Sequence, residues 1–198
     1  MRTRRAIFRL LSLALVAGVA TLGAFYFLSS NSQNSSVPTT PESTQQAQSQ
    51  ATEAPQDTTL KVTVPKLARV KDAPVPDAEG DDEDKLKNYA AIHVQGTGFP
   101  WQEEANVYIA GHRLGYPGYP SFLAFYDLDN LQKGDEILIE DANGKKYTYE
   151  VSSVFEAEPT DLYLLDPVPG KNIVTLQTCT LPDYAKRLLV QGELVSST

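Results

Sequence analysis

The chain has 198 residues and a formal net charge of -8, with 41% hydrophobic and 21% charged residues. This length leaves room for one domain of ordinary size besides any targeting segment, so a two-domain enzyme is not expected. Four of the 17 basic residues precede residue 10, and the strongly acidic remainder argues against a nucleic-acid-binding protein. One cysteine and two histidines cannot supply a Cys/His zinc cluster or an internal disulfide framework, and no cofactor or metal is expected.

The first 58 residues predict a membrane anchor followed by a tether. Residues 10–28 carry no charge, and as a helix they are long enough to cross a hydrocarbon core of ~30 Å. Four arginines precede this segment, and no Lys or Arg follows it until Lys61. By the positive-inside rule, this distribution predicts that residues 1–9 lie in the cytoplasm and the remainder outside. Phe25-Tyr26-Phe27-Leu28 stands where a cleavage site needs small residues, which favours a retained signal anchor over a cleaved signal peptide. Residues 29–58 are rich in Ser, Gln, Thr and Pro, and they predict a disordered extracellular tether.

The rest of the chain, residues 59–198, predicts an all-β domain. Short β-rich runs recur between Gly, Pro and Asn signals, and helical periodicity is scarce. Asn143-Gly144 lies between two such runs and predicts a hairpin, since both residues tolerate positive φ. These features favour a mostly antiparallel barrel or sandwich, with strands in residues 60–64, 90–95, 106–111, 136–141, 146–155, 172–179 and 187–194.

The acidic segment 72–84 raises the question of a calcium site. Oxygen-bearing side chains alternate along part of it, as in an EF-hand loop, but Asn88 stands where the loop needs a bidentate Glu. A solvated acidic loop is therefore the better interpretation.

Cys179 is the only thiol of the chain, and it is the first candidate for chemistry. An inert, buried cysteine explains the thiol alone equally well. The strand that ends at Cys179 is followed by a loop stiffened by Pro182 and by a returning strand that begins at Arg187. This order predicts a hairpin that brings Cys179 and Arg187 to adjacent strand ends. A guanidinium there favours the reactive thiolate and offers N–H donors to an oxyanion, although an exposed Arg187 paired with Asp183 is the plainer alternative.

The two histidines are the candidates for a proton carrier. The run Asn106–Arg113 places His112 at the end of a strand, just before a loop of Gly, Tyr and Pro, where functional sites are often built. His93 lies within a short alternating run and is better interpreted as a structural or surface histidine.

Several motifs together resemble one family. Residues 175–179 read Thr-Leu-Gln-Thr-Cys, which fits the pattern TLxTC, and Arg187 follows eight positions later. Residues 96–112 look like the stretch that leads into the family's histidine, and residues 128–154 contain its next landmarks. These features are similar to those of the bacterial sortases, membrane-anchored cysteine transpeptidases of Gram-positive cell surfaces. The resemblance covers about residue 60 to the C-terminus.

The resemblance implies a closed eight-stranded β-barrel with short helices, and it implies that residues 59–198 are the catalytic domain. Cys179 would be the nucleophile that attacks the Thr-Gly bond of a Leu-Pro-x-Thr-Gly or Leu-Ala-x-Thr-Gly sorting signal to give a thioester. Arg187 would stabilise the oxyanion, and His112 would be the general acid and then the general base. An amine from a peptidoglycan precursor or a pilin would resolve the thioester, so sorting-signal-bearing surface proteins and that amine are the expected partners.

The segment Gly111–Tyr116 looks most like the sortases called class E, which prefer Ala at the second motif position. Leu114 departs from the Thr expected in that class. Substrate contacts are expected from Tyr116, Thr178 and Leu164, the last in a segment that matches the family's loop around the sorting signal. A non-catalytic anchored β-domain that binds a cell-wall polymer or a partner protein is the alternative, because a tether and a barrel alone allow it.

Overall fold

The computed structural model describes residues 54–198. The predictions for residues 1–9 and 10–28, and for all but the last residues of the tether 29–58, lie outside this part of the chain. Within residues 54–198, no helix has both the length and the apolar character needed to span a membrane.

Strands are the main regular secondary structure of the described chain. Residues 54–198 contain nine strands and one α-helix: β1 Leu60–Thr63, β2 Ala73–Val75, β3 Asp77–Ala78, α1 Glu83–Asn88, β4 Ile92–Val94, β5 Ala105–Ala110, β6 Glu136–Glu140, β7 Lys146–Ala157, β8 Asn172–Cys179 and β9 Arg187–Ser197. Two short 3-10 helices cover Leu128–Asn130 and Leu162–Leu165. The predicted all-β character is confirmed, and each of the seven predicted strands is present.

All nine strands of this part of the chain join in one sheet, in the order β2-β1-β6-β7-β9-β8-β5-β4-β3. The strands at the two ends, β2 and β3, are consecutive in the chain and only Pro76 separates them. The sheet therefore rolls into a nearly closed barrel. The predicted count of eight strands is wrong by one, because Pro76 has no N–H to donate and divides one edge segment into two strands.

The segment 72–84 is not simply the acidic loop that we predicted, because it contains β2, β3 and the start of α1. Two of its carboxylates have structural partners. Asp77 Oδ1 lies 2.7 Å from His93 Nδ1, and Asp82 caps α1 by accepting a hydrogen bond from the Lys85 N–H at 3.0 Å. No group of three His, Cys, Asp or Glu side chains in residues 54–198 is arranged to hold a metal ion.

The hairpin between β6 and β7 shows how local sequence fixes the register. Asp141 Oδ1 accepts hydrogen bonds from the N–H groups of Asn143 at 2.9 Å and Lys145 at 3.0 Å, as in an Asx turn. Gly144 has a φ of +82°, a value that a side chain disfavours. The predicted Asn-Gly hairpin is confirmed, and it sets Glu140 opposite Lys146.

The barrel interior is filled mainly by aliphatic side chains, with two buried tyrosines among them. Tyr147 donates a hydrogen bond to Asp141 Oδ2 at 3.0 Å, and Tyr149 donates one to Asn172 Oδ1 at 2.8 Å. Burial raises the pKa of both phenols, and the Asp141 carboxylate raises that of Tyr147 further. The rigid interior supports the ends of β5, β8 and β9, where the candidate residues lie.

Candidate active site

Cys179 and Arg187 are the last residue of β8 and the first residue of β9, and they face each other in the antiparallel register. The turn between them is closed by a hydrogen bond of 3.0 Å from the Thr180 N–H to the Lys186 carbonyl. Directly paired residues point to the same face of a sheet, so the thiol and the guanidinium share one face. The predicted hairpin is confirmed, and Cys179 is half-buried rather than enclosed in the core.

The parallel pairing of β5 with β8 brings His112 to the same place. Its last register pair joins Ala110 to Gln177. The next N–H, that of Gly111, still donates to the Gln177 carbonyl at 3.0 Å. When this register is continued by two residues on each strand, His112 comes opposite Cys179 and points to the same face. Neighbouring strands of a sheet lie about 4.8 Å apart.

His112, Cys179 and Arg187 therefore form a row across the ends of three neighbouring strands, with the cysteine in the middle. We call this the catalytic row. The structure pairs Cys179 with Arg187 directly, and the continued register of β5 and β8 sets His112 on the other side of Cys179.

One carboxylate contacts the imidazole of His112. Glu83, the first residue of α1, has its Oε2 at 3.6 Å from His112 Nε2 and accepts a hydrogen bond of 3.3 Å from the Tyr116 hydroxyl. The Tyr116 ring lies edge-on to the imidazole, with ring centres 5.5 Å apart. His112 Nε2 is buried and has no hydrogen-bond partner among residues 54–198, and the Glu83 carboxylate is the charged group beside it.

The residues on both sides of His112 are fixed in place. A Cβ atom at Gly111 would come within 2.9 Å of the Ala90 carbonyl oxygen and 3.1 Å of the Phe125 ring, so the close packing requires glycine. Arg113 is buried, and its Nη2 pairs with Asp129 Oδ2 at 2.8 Å. The backbone that carries His112 is therefore anchored from both directions.

Arg187 is available to a ligand. No ion pair in the described part of the chain includes Arg187, and the predicted alternative of a pair with Asp183 is not formed. Its Nη1 makes only long contacts with the carbonyls of Tyr184 at 3.5 Å and Lys186 at 3.4 Å. Most of the hydrogen-bonding capacity of the guanidinium is unused.

A small open cleft borders Arg187 and the row of residues below the catalytic row. Its lining includes Leu162, Leu164 and Leu165 from the segment that joins β7 to β8. Asn106 holds this segment down, because its Nδ2 donates to the carbonyls of Leu164 at 2.8 Å and Asp166 at 3.2 Å. The segment that carries Leu164 is thus a fixed wall of the cleft, and the cleft borders Arg187, the residue paired with Cys179.

A tyrosine and a glutamine of the cleft's lining are joined by a hydrogen bond. Tyr108 of β5 donates a hydrogen bond of 2.7 Å to Gln177 Oε1 of β8. Burial raises the pKa of Tyr108 to about 12, while the positive charge of Arg187 lowers it in part. Tyr108 is therefore protonated at neutral pH and acts as a donor toward Gln177.

The predicted substrate-contacting residues differ in their positions. Tyr116 is 40% exposed and contacts His112, and Leu164 lines the cleft. Thr178 points to the opposite face of β8 from Cys179, and its side chain is 1% exposed with no hydrogen-bond partner for Oγ1 in residues 54–198. This position inside the barrel does not fit a direct contact between Thr178 and substrate.

His93 takes no part in the site. Its side chain is fully buried, with Nδ1 at 2.7 Å from Asp77 and Nε2 at 2.9 Å from the Gly98 carbonyl, and it stacks on Phe99. The interpretation of His93 as a structural histidine agrees with these contacts.

Four residues near the site were missed as functional candidates: Glu83, Asn106, Tyr108 and Gln177. Glu83 gave no signal, since it is one of many acidic residues in its segment. Gln177 occupies the variable position of the TLxTC pattern, and two-residue alternation from Cys179 along β8 does place its side chain on the face of the thiol.

The fold and this row of residues define a β-barrel protein with a cysteine-centred site. A family model described as "Sortase domain" matches residues 62–195. The chain belongs to the sortase family, which agrees with the resemblance of its motifs.

Two curated relatives are similar over part of the chain. Sortase A of Streptococcus agalactiae is 33% identical over 90 residues, which are 45% of this chain and 36% of that protein. Sortase SrtE1 of Streptomyces coelicolor is 31% identical over 148 residues, which are 67% of this chain and 39% of that protein. The chain thus spans well under half the length of either relative.

Solved sortase structures share the fold. Sortase C1 from Streptococcus agalactiae superposes with a TM-score of 0.59 at 30% identity, and covers 69% of this chain and 66% of its own. Sortase C-1 from Actinomyces oris gives a TM-score of 0.60 at 29% identity, with 69% and 73% of the two chains covered. These relatives span sortases A, C and E, so the similarities identify the family and leave the class to the proposal below.

Proposed function

We propose that the protein is a cysteine transpeptidase that cleaves a sorting signal of surface proteins between Thr and Gly and transfers the protein to an amine. The observation that carries this proposal is the catalytic row, with His112 and Arg187 on either side of Cys179. A cysteine that only packed a core would need neither neighbour.

In the first half-reaction, Cys179 Sγ in its thiolate form attacks the carbonyl carbon of the threonine. The carbonyl oxygen becomes an oxyanion, which the unpaired N–H groups of Arg187 stabilise. The C–N bond to glycine then breaks while His112, in its protonated form, gives a proton to the leaving amine. The product is a thioester between Cys179 and the threonine, with His112 left neutral.

In the second half-reaction, an amine attacks the thioester carbonyl from the side on which the glycine amine left. His112 takes a proton from this amine, Arg187 again holds the oxyanion, and the C–S bond breaks. The new amide is released, Cys179 is a thiolate again and His112 has recovered its proton. A peptidoglycan precursor or a pilin lysine would supply this amine.

For the sorting signal, we propose Leu-Pro-x-Thr-Gly or Leu-Ala-x-Thr-Gly, with the second form as the preferred one if the protein is of class E. Supporting observations are the segment Gly111–Tyr116, the contact between Tyr116 and His112, and the similarity to SrtE1. Leu164 in the cleft wall is an apolar contact for residues before the scissile bond.

For the location, we propose that residues 10–28 anchor the protein in the plasma membrane, with residues 1–9 inside and the catalytic domain outside. The uncharged segment and the four preceding arginines support this orientation. Protease treatment of intact cells tests it, because an external domain is digested while a cytoplasmic control protein survives.

The experiment that tests the activity is mass spectrometry of the full chain in detergent, incubated with each of the two peptides. We expect an acyl adduct on Cys179 that adds the mass of the peptide up to threonine, and no adduct with Cys179→Ala. If a folded protein with a free thiol forms no adduct with either peptide, the proposal is wrong and the protein is better interpreted as a binding domain. A stronger adduct with one peptide identifies the preferred motif.

A further inference from the structure

Gln177 and Leu189 form the residue pair below the catalytic row, and the side-chain N–H groups of Gln177 donate no hydrogen bond within residues 54–198. Gln177 precedes Cys179 by two residues on β8, so the two side chains point to the same face. Gln177 Oε1 accepts the hydrogen bond of 2.7 Å from Tyr108. Its Nε2 has no hydrogen-bond partner in the described part of the chain, and the residue lines the cleft.

Tyr108 determines which way this amide points. Its side chain is only 3% exposed, and its hydroxyl is a donor at neutral pH because burial raises the pKa of the phenol to about 12. Because the Tyr108 hydroxyl donates this hydrogen bond, the carbonyl end of the Gln177 side chain is directed toward β5. The NH₂ end then faces away from Tyr108, toward the cleft.

The position of the cleft shows which part of a substrate would meet Gln177. The leaving amine must lie near His112, and His112 does not line the cleft. The cleft is lined by Arg187, by Gln177 and Tyr108 in the row below the catalytic row, and by Leu162 and Leu164. The residues before the scissile bond are therefore the ones that occupy the cleft.

We propose that Gln177, oriented by Tyr108, donates a hydrogen bond to a main-chain carbonyl of the sorting peptide on the acyl side of the scissile bond. This inference rests on the proposed function. We choose a main-chain carbonyl as the acceptor because every residue of the peptide offers one, whereas the Leu, Pro and Ala side chains offer none and, among the fixed residues of the signal, only the Thr hydroxyl adds a side-chain acceptor. Gln177 is thus a substrate-binding residue that sets the depth of the peptide in the cleft.

The test compares variants of the full chain in detergent. Gln177→Met keeps the length of the side chain and removes the donor, and Tyr108→Phe removes only the orienting hydroxyl. Gln191→Met is the matched control, because Gln191 lies on β9 one row further from Cys179, bonds Thr175 at 3.3 Å and does not line the cleft. The rate of thioester formation is measured by quenched mass spectrometry, and the rate of Cys179 alkylation by iodoacetamide is measured in parallel.

We expect Gln177→Met to slow acylation by the peptide about tenfold, the effect of one hydrogen bond, and Tyr108→Phe to slow it about threefold. Gln191→Met should change it less than about twofold. Alkylation should stay near the wild-type rate in all three variants, since iodoacetamide does not occupy the cleft. Acylation of Gln177→Met at the wild-type rate would overturn the inference, and so would an equal loss of alkylation, which would indicate a general distortion of the site.

A second series uses peptides in which one amide at a time is replaced by an ester, whose carbonyl is a weaker acceptor. Wild type should lose acylation rate at one particular position, and Gln177→Met should show no loss there. Equal losses in both proteins at every position would contradict the inference. If wild type forms no thioester with any sorting peptide, the proposed function itself is wrong, which differs from failure of the Gln177 contact alone.

Discussion

The carboxylate of Glu83 lies 3.6 Å from Nε2 of His112 and joins the acidic segment to the catalytic row. Glu83 is the first residue of α1, and its side chain is 65% exposed. The same carboxylate accepts a hydrogen bond from the Tyr116 hydroxyl, so Glu83 contacts both the imidazole and the tyrosine beside it.

Glu83→Gln removes the charge and keeps an acceptor for the Tyr116 hydroxyl. We expect the rate of peptide cleavage to fall about threefold at low salt and the difference to shrink at high salt, because an exposed charge is screened. The measurement is cleavage of a fluorogenic sorting peptide at two ionic strengths. Glu79→Gln, an exposed acid of the same segment, should have no effect, and an equal loss in this control would show that only the segment's overall charge matters.

Arg187 offers unpaired N–H groups directly opposite Cys179. Loss of one oxyanion donor costs roughly a hundredfold to a thousandfold in rate, so we expect at least a hundredfold loss of peptide cleavage in Arg187→Ala. Arg187→Lys keeps the charge without the planar fork, and its activity should lie between the two. Circular dichroism checks the fold. Activity of a folded Arg187→Ala protein within tenfold of wild type would refute a role at the oxyanion.

Gly111 has no room for a side chain. Gly111→Ala would press its Cβ against the Ala90 carbonyl and the Phe125 ring. We expect a destabilisation of about 1–3 kcal/mol, typical of overpacking, together with a loss of cleavage as the adjacent His112 shifts. Denaturant unfolding and peptide cleavage measure the two effects.

Gly80→Ala is the matched control for this prediction. The nearest atom to its new Cβ, Val94 Cγ1, would be at 3.7 Å, an ordinary contact. Both its stability and its activity should stay close to wild type. If Gly111→Ala is equally harmless, the packing around His112 is looser than the distances indicate.

Three buried tyrosines predict how the domain responds to alkali. Burial raises the pKa of Tyr108 to about 12 and raises the pKa values of Tyr147 and Tyr149 as well. Unfolded tyrosines ionise near pH 10, so the unfolded state loses protons more readily than the folded state above that value. The stability that the neutral phenols contribute is complete below about pH 10 and is lost as the pH rises toward 12.

Absorbance at 295 nm and far-UV circular dichroism, recorded over the same alkaline titration, test this prediction. The three buried tyrosines should ionise only as the fold is lost, so part of the absorbance change should coincide with the loss of the circular dichroism signal. Tyr108→Phe should reduce that part of the absorbance change. Complete ionisation of all tyrosines in an intact fold would contradict it.

Local sequence predicted the strands and the Cys179–Arg187 pairing, because a hairpin with a short turn brings its ends together by itself. The two- and three-residue strands around Pro76 were not predicted, since prolines and acidic residues are typical of loops. The place of His112 beside Cys179 depends on the parallel pairing of β5 with β8, which no local pattern determines. The contact of Glu83 with His112 was missed for the same reason, because it requires α1 to lie over a distant strand end.

Cys179 is separated from its two neighbours in the row by chain segments of very different length. The hairpin of β8 and β9 closes a loop of a few residues, whereas β5 reaches β8 from more than sixty positions away along the chain. Closing short loops costs less chain entropy, so we expect Arg187 to meet the thiol early in folding and His112 to meet it only as the barrel is completed. In a partly folded chain we therefore expect Cys179 to lie beside Arg187 before it lies beside His112.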